Sequence, residues 1–473
     1  MRMRSKINFP NEKISKFSLN TFKNKQNYII DESLLDLSKP KVSFNYDMVD
    51  GTLKKGLGVK KILNNNSFPQ GVVPLKLYYY KHYNRVEFIG DDRIVAYCSD
   101  GYLYSLNLSK IDDGFTLIRG LSFDSAPKIV SYNYYNDDSL IISAGTKNYL
   151  YNDKEITEII GAPLIRSMCI HHERLFIVSE SDLGRTIWFS DDYNPTNWVI
   201  ELDQAGYIEF ADERGDVLKV VEFLDYVYIF RRYGIVRLSA GGDQTEFSLQ
   251  NLNVNCGKIY GESVTVCGDV IIFMSSTGLY KFNGIDAVKI LPSYDKHFES
   301  VNNENAEGVF YSGNLILKLK GEFDKIYKEV LLVYNLEKDS SYFISGLEVE
   351  NFCLSTGEDY SLYTICDGEI VKFDNSGCKF NSPLLKVWES VKYSFDLPTT
   401  TKILKKIVVD SDERIVIIIN ADGKRHIYET RGENGEINLN VKAINFTFEI
   451  ISKTFNPKIS KPIFTIRYLK EKF

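Results

Sequence analysis

The middle of the chain repeats one strand–turn–strand pattern seven times. Each copy has an apolar strand, a polar turn rich in Asp, Asn or Gly, a second apolar strand and a turn that contains Gly, as in VEFIGDDRIVAYCSDGYLYSLNL from residue 86. The second strands start 35 to 53 residues apart, with a mean of about 45, which is the length of one four-stranded propeller blade. These starts are predicted near Arg93, Ser139, Arg174, Val227, Val270, Leu315 and Leu362.

This period predicts the fold class, which is all-β with a β-propeller of about seven four-stranded blades. A β-sandwich would not normally repeat one strand order at one period over about 300 residues, and a β-helix has much shorter repeats. Each blade has apolar faces that only its neighbours can bury, so the blades would stack around an axis. The 31 Tyr and 29 Phe residues also favour strands. Because the spacings are uneven, a count of six or eight blades is also compatible with the sequence.

The two ends of the chain differ from the repeats, and three regions are therefore predicted. Residues 1–74 would form an N-terminal arm with short strands, 75–385 the propeller, and 386–473 a small C-terminal β domain that resembles a sandwich. The C-terminal region has β-branched runs such as residues 415–419, followed by the hairpin signal Asn-Ala-Asp-Gly at 420–423. The propeller would be a rigid scaffold between two smaller β regions.

Charge and hydropathy exclude several classes of partner. The net charge is −6, and 57 basic residues are scattered among 63 acidic ones, which argues against nucleic acid as a primary ligand. Apolar runs stay below the roughly 18 to 20 residues that cross a bilayer, and the first 25 residues contain no signal-peptide core. We therefore expect a protein without a membrane span or signal peptide, made in the cytoplasm of the cell that expresses it.

The usual sequence motifs of enzymes are missing. The chain has five His residues and lacks GxSxG, HExxH and Walker motifs, so no catalytic or cofactor-binding residue is predicted and a non-enzyme is favoured. The seven Cys residues form no CxxC pair, so their spacing does not predict a zinc cluster. Strand alternation would point the neighbouring rings of His171 and His172 to opposite sides. No metal site is predicted.

The candidate contact region is the segment from Trp188 to Trp198. A strand end runs into a turn containing Pro195, with aromatic residues on both sides and Asn and Thr residues able to bond the turn. One interpretation is a packed loop between strands, and the other is a surface for a partner or ligand. The candidate contact residues are Trp188, Tyr193, Asn194, Pro195, Asn197 and Trp198.

The preceding segment SESDLGRTIWFS resembles the Asp-box of sialidases and related glycan-active propellers. Asp182, Gly184 and Thr186 match the motif, whereas residue 180 is Glu in place of Ser and the Trp falls one residue late. This resemblance implies an alternative function, a glycan-binding or sialidase-like glycan-cleaving propeller. Trp188, Tyr193 and Trp198 would then be the stacking platforms for sugar rings.

Three further segments resemble propeller proteins of bacteriophage tails, a group that includes tail nozzle, tail-tube and stabilisation proteins. They are FSDDYNPTNW, FNYDMVDGTLKKGLGVKK and LPTTTKILKKIVVDS. The resemblance implies a structural protein of the virion tail, assembled as a ring with copies of itself and with other tail or connector proteins. It supplies no catalytic residues. A protein-interaction propeller of cellular origin is a third interpretation.

Overall fold

The structure is a computed structural model in which the chain folds into two compact units. The sandwich unit comprises residues of 1–58, 338–345 and 375–473, and the propeller unit comprises 59–337 and 346–374. The residues described are 14–19, 22, 40–48, 50–63, 68–84, 89–134, 137–180, 184–301, 303–323, 327–395, 398–430, 432 and 435–469.

Within the described residues the chain is built almost entirely from short strands. The N-terminal strands are β1 (Ile14–Ser18), β2 (Pro40–Phe44), β3 (Tyr46–Asp47), β4 (Leu53–Lys55) and β5 (Gly58–Lys61). The strands of the repeats are β6 (Pro74–Tyr80), β7 (Tyr83–Asn84), β8 (Ile89–Gly90), β9 (Arg93–Cys98), β10 (Tyr102–Asn107), β11 (Thr116–Ser122), β12 (Lys128–Tyr134), β13 (Asp137–Ala144), β14 (Lys147–Tyr151), β15 (Ile156–Ile159), β16 (Ile165–His171), β17 (Arg174–Ser179), β18 (Thr186–Phe189), β19 (Gly206–Glu209), β20 (Val217–Phe223), β21 (Tyr226–Arg231), β22 (Gly234–Ser239), β23 (Ser248–Leu252), β24 (Thr265–Cys267), β25 (Val270–Ser275), β26 (Gly278–Phe282), β27 (Ala287–Ile290), β28 (Glu307–Tyr311), β29 (Asn314–Phe323), β30 (Tyr327–Asn335), β31 (Ser340–Ser345), β32 (Val349–Ser355), β33 (Ser361–Cys366) and β34 (Glu369–Asp374).

The C-terminal strands are β35 (Cys378–Lys379), β36 (Ser382–Pro383), β37 (Lys386–Ser390), β38 (Lys402–Ser411), β39 (Ile415–Ala421), β40 (Lys424–Thr430), β41 (Gly435–Ala443), β42 (Phe446–Ser452) and β43 (Lys458–Tyr468). Helical structure in the described ranges is limited to the α-helix α1 (Asp295–Ser300) and to single 3-10 turns at Ile111–Asp113, Gln244–Glu246, Gly261–Ser263, Pro292–Tyr294 and Asn303–Asn305.

The propeller unit is a ring of seven sheets, six of which have four strands within this unit. Five are consecutive sets in the orders β6-β9-β10-β11, β12 to β15, β16 to β19, β20 to β23 and β24 to β27. The sixth sheet has three strands within this unit, β28 to β30, and the seventh has the order β32-β33-β34-β5. The predicted β-propeller is confirmed. We number the blades one to seven in this order.

Contacts between the first strands of neighbouring blades close the ring. Strand β6 contacts β12, β12 contacts β16, and β16 contacts β20. The 3-10 turn Gly261–Ser263 touches both β20 and β25, and it links blades four and five. Strand β24 then contacts β28, β28 contacts β32, and β32 returns to β6. The first strands therefore line the centre of the ring.

The second strand of each blade starts within two residues of its predicted position. Blades one, three and five begin their second strands at Arg93, Arg174 and Val270, where the sequence pattern placed them. Every residue of β17 and of β25 is buried, because a second strand lies inside its own sheet and between neighbouring blades. Burial on both faces explains why these strands have continuous apolar runs and do not alternate.

The N-terminal strand β5 completes blade seven. Lys61 Nζ lies 2.8 Å from Glu369 Oε1, and the Ile62 N–H donates to the Ile370 carbonyl at 3.3 Å. The sequence placed the propeller at 75–385 and residues 1–74 in an arm, whereas the propeller unit begins at residue 59 and ends at 374. The difference arises because the fourth strand of blade seven comes from the part of the chain that precedes blade one.

The sandwich unit has two sheets around one core. One sheet has the order β3-β4-β43-β38-β41, with β1 also paired to β43, and the other has the order β31-β2-β37-β42-β39-β40. Their inward-facing residues include Tyr46, Trp388, Leu404, Phe448 and Phe464, all buried in a single cluster. A β unit in addition to the propeller is present as predicted, but it is not limited to residues 386–473, because it also includes β1 to β4 and β31. Strands β1, β2 and β4 of the predicted arm pair with C-terminal strands of the same chain, as in Leu53 with Ile459.

Candidate functional site

The predicted contact segment lies in blade three, on the connection between β18 and β19. This connection is 16 residues long, from Ser190 to Ala205, which is unusual for a hairpin. Pro195 is buried and Tyr193 has a left-handed backbone with φ of 52°. Hydrogen bonds from Asn194 N–H to Asp191 O at 3.4 Å and from Asn197 N–H to Asn194 O at 3.2 Å fold the segment into consecutive turns.

Both asparagine side chains are used within the loop. Asn194 Oδ1 accepts from the backbone N–H of Thr196 at 3.2 Å and from its hydroxyl at 2.7 Å. Asn197 Nδ2 donates to Asp191 Oδ2 at 2.9 Å and to Gln204 Oε1 at 3.1 Å. These amides hold the loop in one conformation, as the turn chemistry of Asn predicts.

The two tryptophans of the segment pack into the protein. Trp198 is only 5% exposed and belongs to the core cluster of blades two and three. Its Nε1–H donates to the Pro195 carbonyl at 2.8 Å. Trp188 is half-buried and packs on Tyr207, with ring centroids 5.0 Å apart. Trp198 therefore anchors the loop and has no face for a sugar ring, whereas Tyr193 is 57% exposed.

Apolar side chains outside the predicted contact residues are exposed on this loop and on the adjoining strand β19. We call Val199, Ile200, Leu202 and Tyr207 the blade-three patch, and their exposed fractions are 53%, 56%, 68% and 50%. A bridge between Ile200 and Ala205 brings the two ends of this turn together. The apolar run V-I-E-L directly after Trp198 could have indicated this patch, because the run does not belong to any strand of the repeat pattern.

The Asp-box resemblance falls partly outside the described residues, because Asp182 lies in the gap at 181–183. Gly184 has φ of 73° and its carbonyl accepts from the Val217 N–H at 2.7 Å. A Cβ on Gly184 would lie 2.7 Å from the Val217 carbonyl oxygen, so only Gly fits this close approach. The matched Gly therefore joins blade three to blade four.

A charged cleft lies where the first strands of blades three to five begin. Its cavity has a volume of about 260 Å³ and is lined by Arg166, Leu218, Arg232, Lys258, Ile259, Tyr260, Gly261, Glu262 and Glu304. Several of the charges pair with each other or with neighbours. Arg232 Nη2 lies 2.7 Å from Asp216 Oδ2, and Lys258 Nζ lies 2.6 Å from Glu304 Oε1.

The Glu262 carboxyl of this cleft is held in its charged form. Burial raises the pKa of Glu262, but the positive charges of Lys219 and Lys128 outweigh that effect, so the pKa lies below its ordinary value. Neighbouring positive side chains stabilise the ionised carboxylate, and the lowered pKa makes it a weak proton acceptor. The cleft is therefore polar and mixed in charge.

A larger pocket of about 530 Å³ lies at the other end of the first strands in blades two to four, where they turn into the second strands. It is lined by Lys81, Ser131, Tyr132, Asp138, Ile170, His171, His172, Glu173, Glu222 and Asp225. His171 is the last residue of β16, and Asp225 lies in the turn between β20 and β21. Residues of blades two, three and four therefore meet in this pocket, together with Lys81, which follows the first strand of blade one.

The expectation that the rings of His171 and His172 point to opposite sides is wrong. Their ring centroids are 4.2 Å apart. His172 and Glu173 form a two-residue hairpin turn with φ of 45° and 59°, as in a type I′ turn. Strand alternation ends at His171, so the left-handed turn brings the second ring beside the first.

The environment keeps His171 neutral at ordinary pH. Its side chain is 4% exposed, and burial, together with the neighbouring His172, lowers the pKa of His171 to about 4. His172 Nε2 lies 2.9 Å from Asp225 Oδ1, at a more exposed position. Neutral imidazole and carboxylate groups are common ligands of transition metals.

In the comparisons with known proteins, no protein-family model and no curated protein matches the chain. Among solved structures it is similar to BBS1N in complex with ARL6DN, at 13% identity and a TM-score of 0.43 over 67% of this chain and 97% of that one. It is also similar to the extracellular domain of BT4673 from B. thetaiotaomicron, at 9% identity and a TM-score of 0.45 over 91% of this chain and 64% of that one.

A third solved structure, the AfRom2 CNH domain, is similar at 10% identity and a TM-score of 0.41 over 67% of this chain and 98% of that one. Likenesses at this level concern the fold alone, and function has to be argued from the sites. Across the described part of the chain, no helix has both the length and the apolar character needed to span a membrane.

Proposed function

We propose that this chain is a non-enzymatic structural component of a bacteriophage or prophage virion tail, in which the propeller is a scaffold for subunit assembly. The observation that carries the proposal is the blade-three patch, a rigid loop that holds apolar side chains in solvent. The tail-protein resemblance of the FSDDYNPTNW segment supports it, because that segment forms the first half of the same loop.

The loop has the properties of a preformed contact. Its internal hydrogen bonds and the buried Trp198 fix its conformation before any partner binds, which lowers the entropic cost of association. Leu202 is 68% exposed, and fully burying a Leu side chain is worth about 1.5–3 kcal/mol. Burying the exposed two-thirds of the Leu202 side chain against a partner would contribute about 1–2 kcal/mol, which corresponds to roughly 5- to 30-fold in affinity. The occupant we propose is a neighbouring copy of this chain.

The test is the oligomeric state of the purified full chain, measured by mass photometry and negative-stain imaging over a range of concentrations. Leu202→Asp places a charge in the patch and should weaken ring assembly by at least about tenfold. Val288→Asp is the matched control, because Val288 is 64% exposed on the outer strand of blade five. A chain that stays monomeric throughout, or assembly equally unaffected by both variants, would contradict the proposal.

A second function, glycan binding or cleavage, is favoured by the charged cleft. Sialidase-like chemistry needs arginines for an anionic sugar and a tyrosine near a carboxylate, and Arg166, Arg232, Tyr260 and Glu262 line the same cavity. The stacking role expected for Trp198 has no support, since this side chain is buried. A panel of sialoside and glycoside substrates tests this function. Turnover that Tyr260→Phe abolishes and Tyr233→Phe leaves intact would favour it over the structural role.

A further inference from the structure

We propose that His171, His172 and Asp225 bind one divalent transition-metal ion of the zinc class and thereby link blades three and four. One imidazole nitrogen of each histidine and one carboxylate oxygen of the aspartate lie within 4.8 Å of one another. Two ligands of a tetrahedral zinc ion are about 3.3 Å apart, given metal–ligand bonds of about 2.0–2.1 Å. Small rotations of the two exposed side chains would close the remaining distance.

The buried histidine provides an independent reason to expect a ligand. His171 is 4% exposed, and within the described structure its Nε2 has no hydrogen-bond partner. Buried polar atoms are nearly always paired, because an unpaired one loses its bonds to water without replacement. A metal ion would satisfy this nitrogen. A simple surface ion pair between His172 and Asp225 would leave the nitrogen unexplained.

The backbone places the three ligands on two equivalent hairpins. His172 and Glu173 form the turn of blade three, and Leu224 and Asp225 form the turn of blade four, with φ of 47° and 64° in the second turn. The first strands of these two blades are in contact. Because each blade supplies part of the ligand set, a bound ion would act as a cross-link between consecutive repeats.

The pocket has the charge that attracts a cation. Four carboxylates line it, Asp138, Glu173, Glu222 and Asp225, together with Lys81. Two imidazoles and one carboxylate suit zinc and neighbouring first-row ions, whereas calcium and magnesium prefer oxygen ligands alone. Three protein ligands leave a fourth position open toward the 530 Å³ pocket, where water or a small anion would complete the tetrahedron.

Two variants remove a ligand while preserving the fold. Asp225 is 80% exposed and His172 is 47% exposed, and both have left-handed backbones that Asn tolerates. Asp225→Asn and His172→Asn are therefore the variants of choice. Asp269→Asn is the matched control, because Asp269 is exposed in the corresponding turn of blade five, between β24 and β25.

The experiment is calorimetric titration of zinc chloride into the metal-stripped full chain, with cobalt(II) absorption as a report on ligand geometry. We expect one strong site per chain with the visible bands of tetrahedral cobalt. Each ligand variant should weaken binding at least about 100-fold, since loss of a merely orienting group already costs 10- to 100-fold. The control should bind as the unaltered chain does, and circular dichroism should show that all variants are folded.

Failure of the unaltered chain to bind zinc would overturn the proposal. Zinc binding that survives in both folded ligand variants would also overturn it, because the ion would then be held elsewhere. An octahedral cobalt spectrum would contradict the tetrahedral ligand set. These results are independent of the blade-three patch, so they do not decide the proposed role in tail assembly.

Discussion

Trp198→Ala should lower the free energy of unfolding by about 3–5 kcal/mol, the usual cost of truncating a buried aromatic residue. The side chain is 5% exposed and packs in a cluster with Tyr132 and Ile177. Its Nε1–H donates to the Pro195 carbonyl at 2.8 Å, so the truncation also leaves this acceptor without its partner. Trp198→Phe keeps most of the apolar area but lacks the N–H, and should cost about 1–2 kcal/mol.

The matched variant is Tyr193→Ala in the same loop. Tyr193 is 57% exposed, and substitutions at exposed positions usually change stability by less than about 0.5 kcal/mol. Urea titration followed by circular dichroism measures all three variants. A cost for Trp198→Ala no larger than that for Tyr193→Ala would refute the reasoning, because it would mean that the indole does not anchor the loop in the core.

Two other perturbations test the propeller unit. Burial lowers the pKa of His297 from its ordinary 6.5 to about 4, so the unfolded chain is protonated first and stability is lost as the pH falls from 6.5 toward 4. At pH 5 the free energy of unfolding should be about 1–2 kcal/mol lower than at pH 7, after allowance for partial exposure. His297→Gln should remove this difference, which urea unfolding at pH 7 and pH 5 measures. A variant with the same pH dependence as the unaltered chain would count against the assignment to His297. A Cβ at Gly357 would overlap the carboxylate of the buried Asp92, whereas a Cβ at Gly90 would meet Glu358 at an ordinary 3.5 Å. Gly357→Ala should therefore cost about 1–3 kcal/mol and lower the thermal midpoint, while Gly90→Ala should be tolerated, and equal midpoints for the two would contradict the packing argument.

The parts of the fold that the sequence predicted are those set by local pattern. Second strands such as those at Arg93 and Val270 were placed correctly because a continuous apolar run between two tight turns identifies a strand buried on both faces. The pairing of β5 with β34 was not predicted. It joins segments separated by about 300 residues, as the Lys61–Glu369 pair shows, and strand pairing at such a distance leaves no periodic signal.

The candidate site was predicted only in outline. The loop after Trp188 was selected for its aromatic residues, but aromatic side chains serve cores as readily as surfaces, and Trp198 proved to be a core residue. The exposed apolar residues after it, such as Leu202, were not among the predicted contact residues. The meeting of His171 and His172 was missed because alternation was assumed across a turn whose backbone is left-handed.

The pairing of β5 with blade seven also sets an order of events during synthesis. The ring cannot close until the ribosome has made Glu369, which follows Lys61 by 308 residues. At about 5–20 residues per second this takes roughly 15 to 60 s. During that time the first strand of the ring unit has no partner, and the unpaired edge of a nascent strand is open to pairing with other chains. The speed of translation and the presence of chaperones therefore bear on how much of this protein reaches its closed form.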